Sequence, residues 1–187
     1  MSNFEFISTS LAGVVKVKYS RKVDCRGFLS RLFCIEELSS AGWYSPVAQV
    51  NFTKTQSIGT IRGMHFQYPP FAEMKLITCI HGAVWDVALD LRPSSPTFLQ
   101  WHAETLSDEN LTALLIPEGV AHGFQATESE TELVYFHSAP YHPNAEAGIN
   151  PLDPRLAINW PLDVNNLSER DKGLPYINSD FKGVLLK

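Results

Sequence analysis

From residue 46 to residue 138 the chain is one short strand candidate after another, each closed by Gly, Pro, Asn, Asp or Ser. The candidates are 46–55, 60–67, 74–80, 83–91, 97–105, 111–116, 122–127 and 131–138, preceded by "VVKVKYS" (14–20) and "GFLSRLFC" (27–34). Short strands at such spacing predict an all-β sandwich or barrel, because an isolated pair buries too little apolar surface to stand alone. "IEELSSAGW" (35–43) reads as a short helix stopped by Gly42. "CIHGAVW" (79–85) reads as a hairpin turning at His81-Gly82. Beyond residue 140 the chain is rich in Pro and Asn, which predicts a loop-rich wrap over 140–187 with one helical turn. No internal repeat interrupts the pattern, and 187 residues fit a single domain over 1–187.

Side chains alternate along a strand, so parity assigns faces. Gln49 and Asn51 share one face, with Val50 and Phe52 on the other. Lys75 lies with Ile77 and Cys79, Asp86 lies opposite Trp85, Val87 and Leu89, and Tyr135 lies with Leu133 and His137. Each of these strands sets a polar residue among apolar neighbours. A closed core penalises an unpaired buried polar group by about 1–3 kcal/mol. A barrel with a polar ligand in its mouth does not.

A net charge of −5 with no basic block argues against nucleic acid as a partner. It leaves room for an anionic small molecule held by a local arginine cluster. The N-terminus lacks the pattern of a signal peptide, and no apolar run approaches the roughly 20 residues of a membrane span. Cys25, Cys34 and Cys79 form an odd set without paired spacing, which fits a reducing cytoplasm better than a disulfide framework.

Taken singly, each polar residue has an ordinary reading. A strand lysine faces solvent, a buried tyrosine is a core ring, an Asp in "LSERD" starts a helix, and His102, His137 and His142 are structural. A metal site is the competing reading, with His65, Glu73 and His122 as ligands. It lacks a His-x-His pair and leaves Lys75 beside a cation that would repel it, so the residues favour no metal.

Taken together, "DCRGF" at 24, "QVNFTKT" at 49, "TIRGMHFQ" at 60, "MKLITCIHGAVWDVALDLRPSSPTF" at 74, "LTALLIPEGVAHGF" at 111, "ELVYF" at 132 and "LSERDKG" at 167 resemble, in order, the dTDP-4-dehydrorhamnose 3,5-epimerase family. The resemblance spans about residues 10 to 175. It implies a cupin-type jelly-roll barrel (a double-stranded β-helix) with short flanking helices, a homodimer, and no metal or organic cofactor. The implied activity is inversion of C3, C5 or both in a nucleotide-linked 4-keto-6-deoxyhexose. By position, His65 corresponds to the general base, Asp171 to the carboxylate that orients it, Tyr135 to the general acid and Lys75 to the cation near the ketone. Arg26, Gln49, Asn51, Arg62 and His122 correspond to positions that bind the diphosphate and sugar. Glu146 and Arg170 correspond to binding positions on loops, and Asp86 to an acidic position near the dyad. Simple alternation sets Arg62 and His65 on opposite faces, so a bulge is expected at Gly63.

The chain departs from the family pattern at Arg31, Val50, Phe136 and Pro140-Tyr141, all but Phe136 at positions expected near the nucleotide. Two other readings follow: a nucleotide-sugar-binding protein with reduced catalysis, and a metal-dependent cupin enzyme.

Overall fold

The computed structural model describes residues 2–186. Its strands are β1 (Phe4–Ser8), β2 (Val15–Tyr19), β3 (Arg21–Asp24), β4 (Gly27–Ser30), β5 (Gln49–Thr55), β6 (Thr60–Gln67), β7 (Lys75–His81), β8 (Ala83–Asp90), β9 (Trp101–Ser107), β10 (Thr112–Ile116), β11 (Val120–Ala126), β12 (Thr131–His137), β13 (Glu146–Gly148) and β14 (Asn166–Leu167). Two short helices flank them, α1 (Ile35–Leu38) and α2 (Glu169–Lys172). The first sheet runs β1-β2-β10-β7-β12-β5; the second runs β13-β6-β11-β8-β9, with β14 added beside β6. The β3–β4 pair stands apart as a hairpin. The two large sheets face each other as a jelly-roll barrel, as expected for the cupin type.

Three apolar clusters explain why several strands are greasy on both faces. Ile77, Val84, Leu106, Leu114, Phe124 and Leu133 pack between the sheets. Behind the first sheet, Val17, Leu76 and Leu115 meet Leu38 and Trp43 from the α1 segment. Behind the second, Met64, Phe66, Val87 and Leu89 meet Ile149, Leu156, Ile177 and Val184 of the C-terminal wrap. Each large side chain sealed in this way contributes about 1.5–3 kcal/mol. The wrap is pinned by polar contacts as well: Trp101 donates to the Leu156 carbonyl at 3.0 Å and Trp160 to that of Pro151 at 2.9 Å.

The short helix with its Gly42 stop forms as expected; it continues as a 3-10 turn over Ser39–Ala41, and Gly42 has φ +102. Two expectations are corrected. Residues 79–85 do not form a hairpin: β7 pairs with β10 and β12, while β8 pairs with β11 and β9. The chain turns a corner from one sheet to the other at Gly82, where φ is +71 and a Cβ would lie 2.8 Å from Thr131 Oγ1. The segment 97–105 becomes a strand only from Trp101, because turns occupy the Pro-containing stretch before it.

The bulge near Gly63 is present. His122 pairs with His65, but Phe124 pairs with Arg62, so two residues of β6 oppose the single Gly123. A Cβ on Gly63, whose φ is +122, would lie 2.4 Å from Gly123 Cα, and one on Gly123 would lie 2.5 Å from Met64 Sδ. Two strands cross this closely only where both residues are glycine.

Candidate active site

One cavity of about 400 Å³ opens between the sheets. The first sheet lends it Gln49, Asn51, Lys75 and Tyr135; the second lends Arg62, His65 and His122. Arg62 and His65 both reach it because of the bulge between them.

His65 points one ring edge at α2. Its Nε2–H donates to Asp171 Oδ1 at 2.8 Å, which leaves Nδ1 as the nitrogen with the lone pair. The partner lies 106 residues further along the chain. It arrives because β14 runs parallel to the start of β6, Leu167 against Ile61, and then turns into α2. Ser168 caps that helix by accepting from the Asp171 N–H at 3.0 Å. The Asp171 carboxylate is thereby free to take a second donor, the Gly63 N–H, at 3.3 Å. Burial pushes this carboxyl up. The hydrogen bond and charge of His65, with the Gly63 N–H, outweigh that and hold it below the usual carboxylate range. Asp171 is thus a buried group rather than an exposed helix start.

Tyr135 rises from the opposite sheet. Burial and the nearby Asp86 carboxylate push its phenol far above the ordinary range, so it stays protonated. Its ring meets that of His122 edge-on at 5.7 Å. His122 Nε2–H donates to Asp86 Oδ1 at 2.7 Å, and Asp86 is fully buried behind it. Lys75 Nζ sits 2.7 Å from Glu73 Oε1, both side chains nearly sealed.

At the mouth, Gln49 donates to Asn51 at 2.9 Å and accepts from the Tyr141 N–H at 2.8 Å. Glu146 accepts from the Tyr141 hydroxyl at 2.8 Å and pairs with Arg170 at 2.6 Å. Burial alone would raise the Glu146 carboxyl, but these two partners hold it low.

The three residues weighed as metal ligands are each engaged elsewhere: His65 with Asp171, His122 with Asp86 and Glu73 with Lys75. Among the described residues no group of three His, Cys, Asp or Glu comes together to hold a metal.

Arg26 does not line the cavity of its own chain; it sits on the exposed turn of the β3–β4 hairpin, paired with Asp24 at 2.6 Å. The hairpin pairs with neither large sheet and is exposed over residues 21–29, so Arg26 stands apart from the lining of its own chain's cavity. Arg31 pairs with Glu37, also away from the cavity, and Val50 points outward from β5. Two cavity residues read otherwise in the sequence. There His137 is structural and Glu73 no more than a rival metal ligand, yet both line the cavity. Strand parity offers the signal for His137, which shares a face with Tyr135; Glu73 lies in the loop just before β7, where alternation does not apply.

A model of the dTDP-4-dehydrorhamnose 3,5-epimerase family matches residues 8–179. The chain belongs to that family. It is an isomerase, an epimerase by class. The dTDP-4-dehydrorhamnose 3,5-epimerase of Sinorhizobium fredii is 39% identical over 171 residues, 91% of this chain and 88% of that protein. The Legionella pneumophila enzyme, solved with dTDP-4-keto-L-rhamnose, superposes with a TM-score of 0.90 at 34% identity, over 97% of this chain and 98% of that one. A 3'-monoepimerase from Streptomyces bikiniensis, solved with dTDP-quinovose, gives 0.84 at 35% identity, over 90% and 85%. Family membership therefore spans enzymes described as acting at two carbons and at one.

Proposed function

We propose that this epimerase inverts C3, C5 or both of a dTDP-linked 4-keto-6-deoxyhexose, with His65 as base, Tyr135 as acid and Lys75 beside the ketone oxygen. The observation that carries the reading is that a carboxylate-backed imidazole and a protonated phenol line one cavity from opposing sheets. A carbon next to a ketone gives up its proton because the electrons pass into an enolate. His65 takes the proton at Nδ1, and Asp171 fixes the ring and stabilises the imidazolium. The Lys75 ammonium offsets charge gathering on O4. Tyr135 then delivers its proton to the same carbon from the other face. The carbon of a ketone holds a proton far more tightly than any phenol, so this step runs downhill despite the raised phenol. Return of a proton from His65 to Tyr135 through solvent closes the cycle, with no net oxidation.

Arg62 supplies a planar guanidinium for diphosphate oxygens, and Gln49, Asn51, His122, Glu146 and Arg170 supply hydrogen bonds around the sugar and its linkage. We also propose a homodimer. The hairpin carries exposed Val23, Phe28 and Leu29, and the edge strand β5 carries exposed Val50 and Phe52. Pairing two copies across these surfaces covers them and lets one chain's Arg26 reach the other's cavity. Among the described residues no helix is long and apolar enough to cross a membrane. The three cysteines are free, and we place the reaction in the cytoplasm.

The test is NMR of a dTDP-4-keto-6-deoxyhexose incubated with the protein in D₂O. Deuterium at C3 alone, or at C3 and C5, supports the reading and chooses between its forms; a substrate left fully protonated sinks it. Tyr135→Phe is expected to impair inversion more than exchange. Calorimetric titration with dTDP, UDP, CDP and GDP checks the nucleotide, with dTDP expected to bind tightest. Sedimentation of the intact protein checks the dimer.

A further inference from the structure

We propose that Glu73 is the positioning residue for Lys75: it holds that side chain as an ammonium aimed into the cavity, available to the substrate ketone as a donor and not as a nucleophile. The inference rests on the reading of Lys75 given above. A lysine stem has four rotatable carbons and no geometry of its own. Here its Nζ lies 2.7 Å from Glu73 Oε1, with side-chain exposures of 8% and 7%. Its one side-chain hydrogen bond among the described residues is a long one, 3.4 Å, to the His65 carbonyl. Glu73 is itself held, because Gln67 Nε2 donates to its other oxygen. Gln67 is fixed in turn by the Phe71 carbonyl at 3.0 Å and the His142 N–H at 2.6 Å. A chain of contacts thus runs from two loops through Glu73 to Lys75.

The remaining neighbours of Lys75 do not replace this anion. In the sheet it stands opposite Ile116 of β10 and His137 of β12. His65 faces it from β6, and Tyr135 and His122 also line the cavity. Glu73 is the carboxylate in contact with the ammonium. The chemical consequence is specific. A neutral amine beside a ketone adds to its carbon, loses water and forms an imine, consuming the oxygen on which the enolate charge must gather. An ammonium has no lone pair and only donates hydrogen bonds.

The experiment is a double-mutant cycle on the full chain with Glu73→Gln, Lys75→Met and the pair. Lys75→Met is expected to lower kcat by about 10²–10³-fold. Glu73→Gln keeps a hydrogen-bonding partner but removes the charge; kcat is expected to fall by about 10- to 100-fold with KM nearly unchanged. In the Lys75→Met background the same change is expected to cost nothing more. That pair also folds without a lone buried charge, so the cycle survives a destabilised single variant. In a companion measurement, cyanoborohydride and substrate are expected to leave the native protein unmodified and to attach reduced sugar nucleotide to Lys75 of Glu73→Ala. Native kcat in Glu73→Gln beside an impaired Lys75→Met overturns the role of Glu73 and leaves that of Lys75 standing. Full activity in Lys75→Met overturns both. Equal losses from Glu73→Gln in the two backgrounds, or a Glu73→Ala protein that is never trapped, also overturn the proposal.

Discussion

Two histidine–carboxylate pairs face each other across adjacent strands, and they differ in what surrounds them. His65 on β6 and His122 on β11 are register partners. Their bonds to Asp171 and Asp86 are nearly equal, 2.8 and 2.7 Å. The exposure is not: 29% and 5% for the first pair, 7% and 0% for the second. Asp171 comes from a distant helix and accepts a second hydrogen bond from Gly63. Asp86 comes from the neighbouring strand, and its second oxygen has no partner among the described residues. The same chemical pair therefore serves two ends. On the proposed reading the more open ring offers the base, while the more buried one, which also lines the cavity, braces the wall against which Tyr135 stands.

The comparison breaks most sharply by removing each imidazole. His65→Ala is expected to lower epimerisation and solvent exchange by about 10²–10⁴-fold, the range for losing a general base. Its melting temperature should move little, because a partly open ring leaves room for water beside Asp171. His122→Ala is expected to cost about 3–5 kcal/mol of stability, since it strands a sealed carboxylate. Chemical denaturation of the two variants, beside their deuterium exchange rates, reads the contrast. A His65 variant that exchanges normally, or a His122 variant as stable as the parent, removes the distinction.

Asp171→Asn sharpens the same comparison at a smaller scale. The new amide has one acceptor oxygen for the two donors that the carboxylate serves, His65 Nε2–H and the Gly63 N–H, and the charge facing the imidazolium is gone. We expect kcat to fall by about 10²-fold, less than for loss of the imidazole itself. Stability should change with pH in a set direction. A carboxyl held below its unfolded value, about 3.9, stabilises the fold above that pH, and this is lost as pH falls through the lowered native value. Thermal melts between about pH 2 and 5 should therefore shift less with pH for the Asp171→Asn protein than for the parent; parallel curves would contradict the assignment.

How far the sequence could be read follows from which interactions are local. Parity put Gln49 on one face with Asn51, Lys75 with Ile77 and Cys79, and Tyr135 with Leu133 and His137, because alternation is a property of each strand alone; the packing of the two sheets decides that these faces turn inward. The conflict between Arg62 and His65 anticipated the bulge, which the Gly63–Gly123 approach then explains. The turn at Gly82 misled, because a turn signal does not say whether the next strand joins the same sheet. β13 and β14 were invisible for a related reason. Their three and two residues are strands only because β6 offers them a free edge. The pairing of His65 with Asp171 could be approached only through the family resemblance, since no period links residues 106 positions apart. His137 was within reach of parity and Glu73, in the loop before β7, was not; an isolated histidine or acid has many ordinary explanations.

His137 supplies the subtlest test, as a third imidazole in the cavity without a carboxylate beside it. Burial first, and then the charges of Lys75 and His122, push it down to about 3. Its unfolded value is near 6.5. Between those values the unfolded chain binds a proton that the native protein refuses, so stability falls as pH falls, by at most about 1.4 kcal/mol per unit. From pH 7 to pH 5 this amounts to about 2 kcal/mol from the one residue. His137→Phe keeps an aromatic ring and removes the titration, so its urea midpoint should drop less over that interval than the parent's. Equal drops would mean that the ring accepts a proton in the native state, and the cavity would then hold a third acid–base group. The expected result instead leaves proton transfer to the two imidazoles that have carboxylates behind them, and of those His65 is the more exposed, at 29% against 7%.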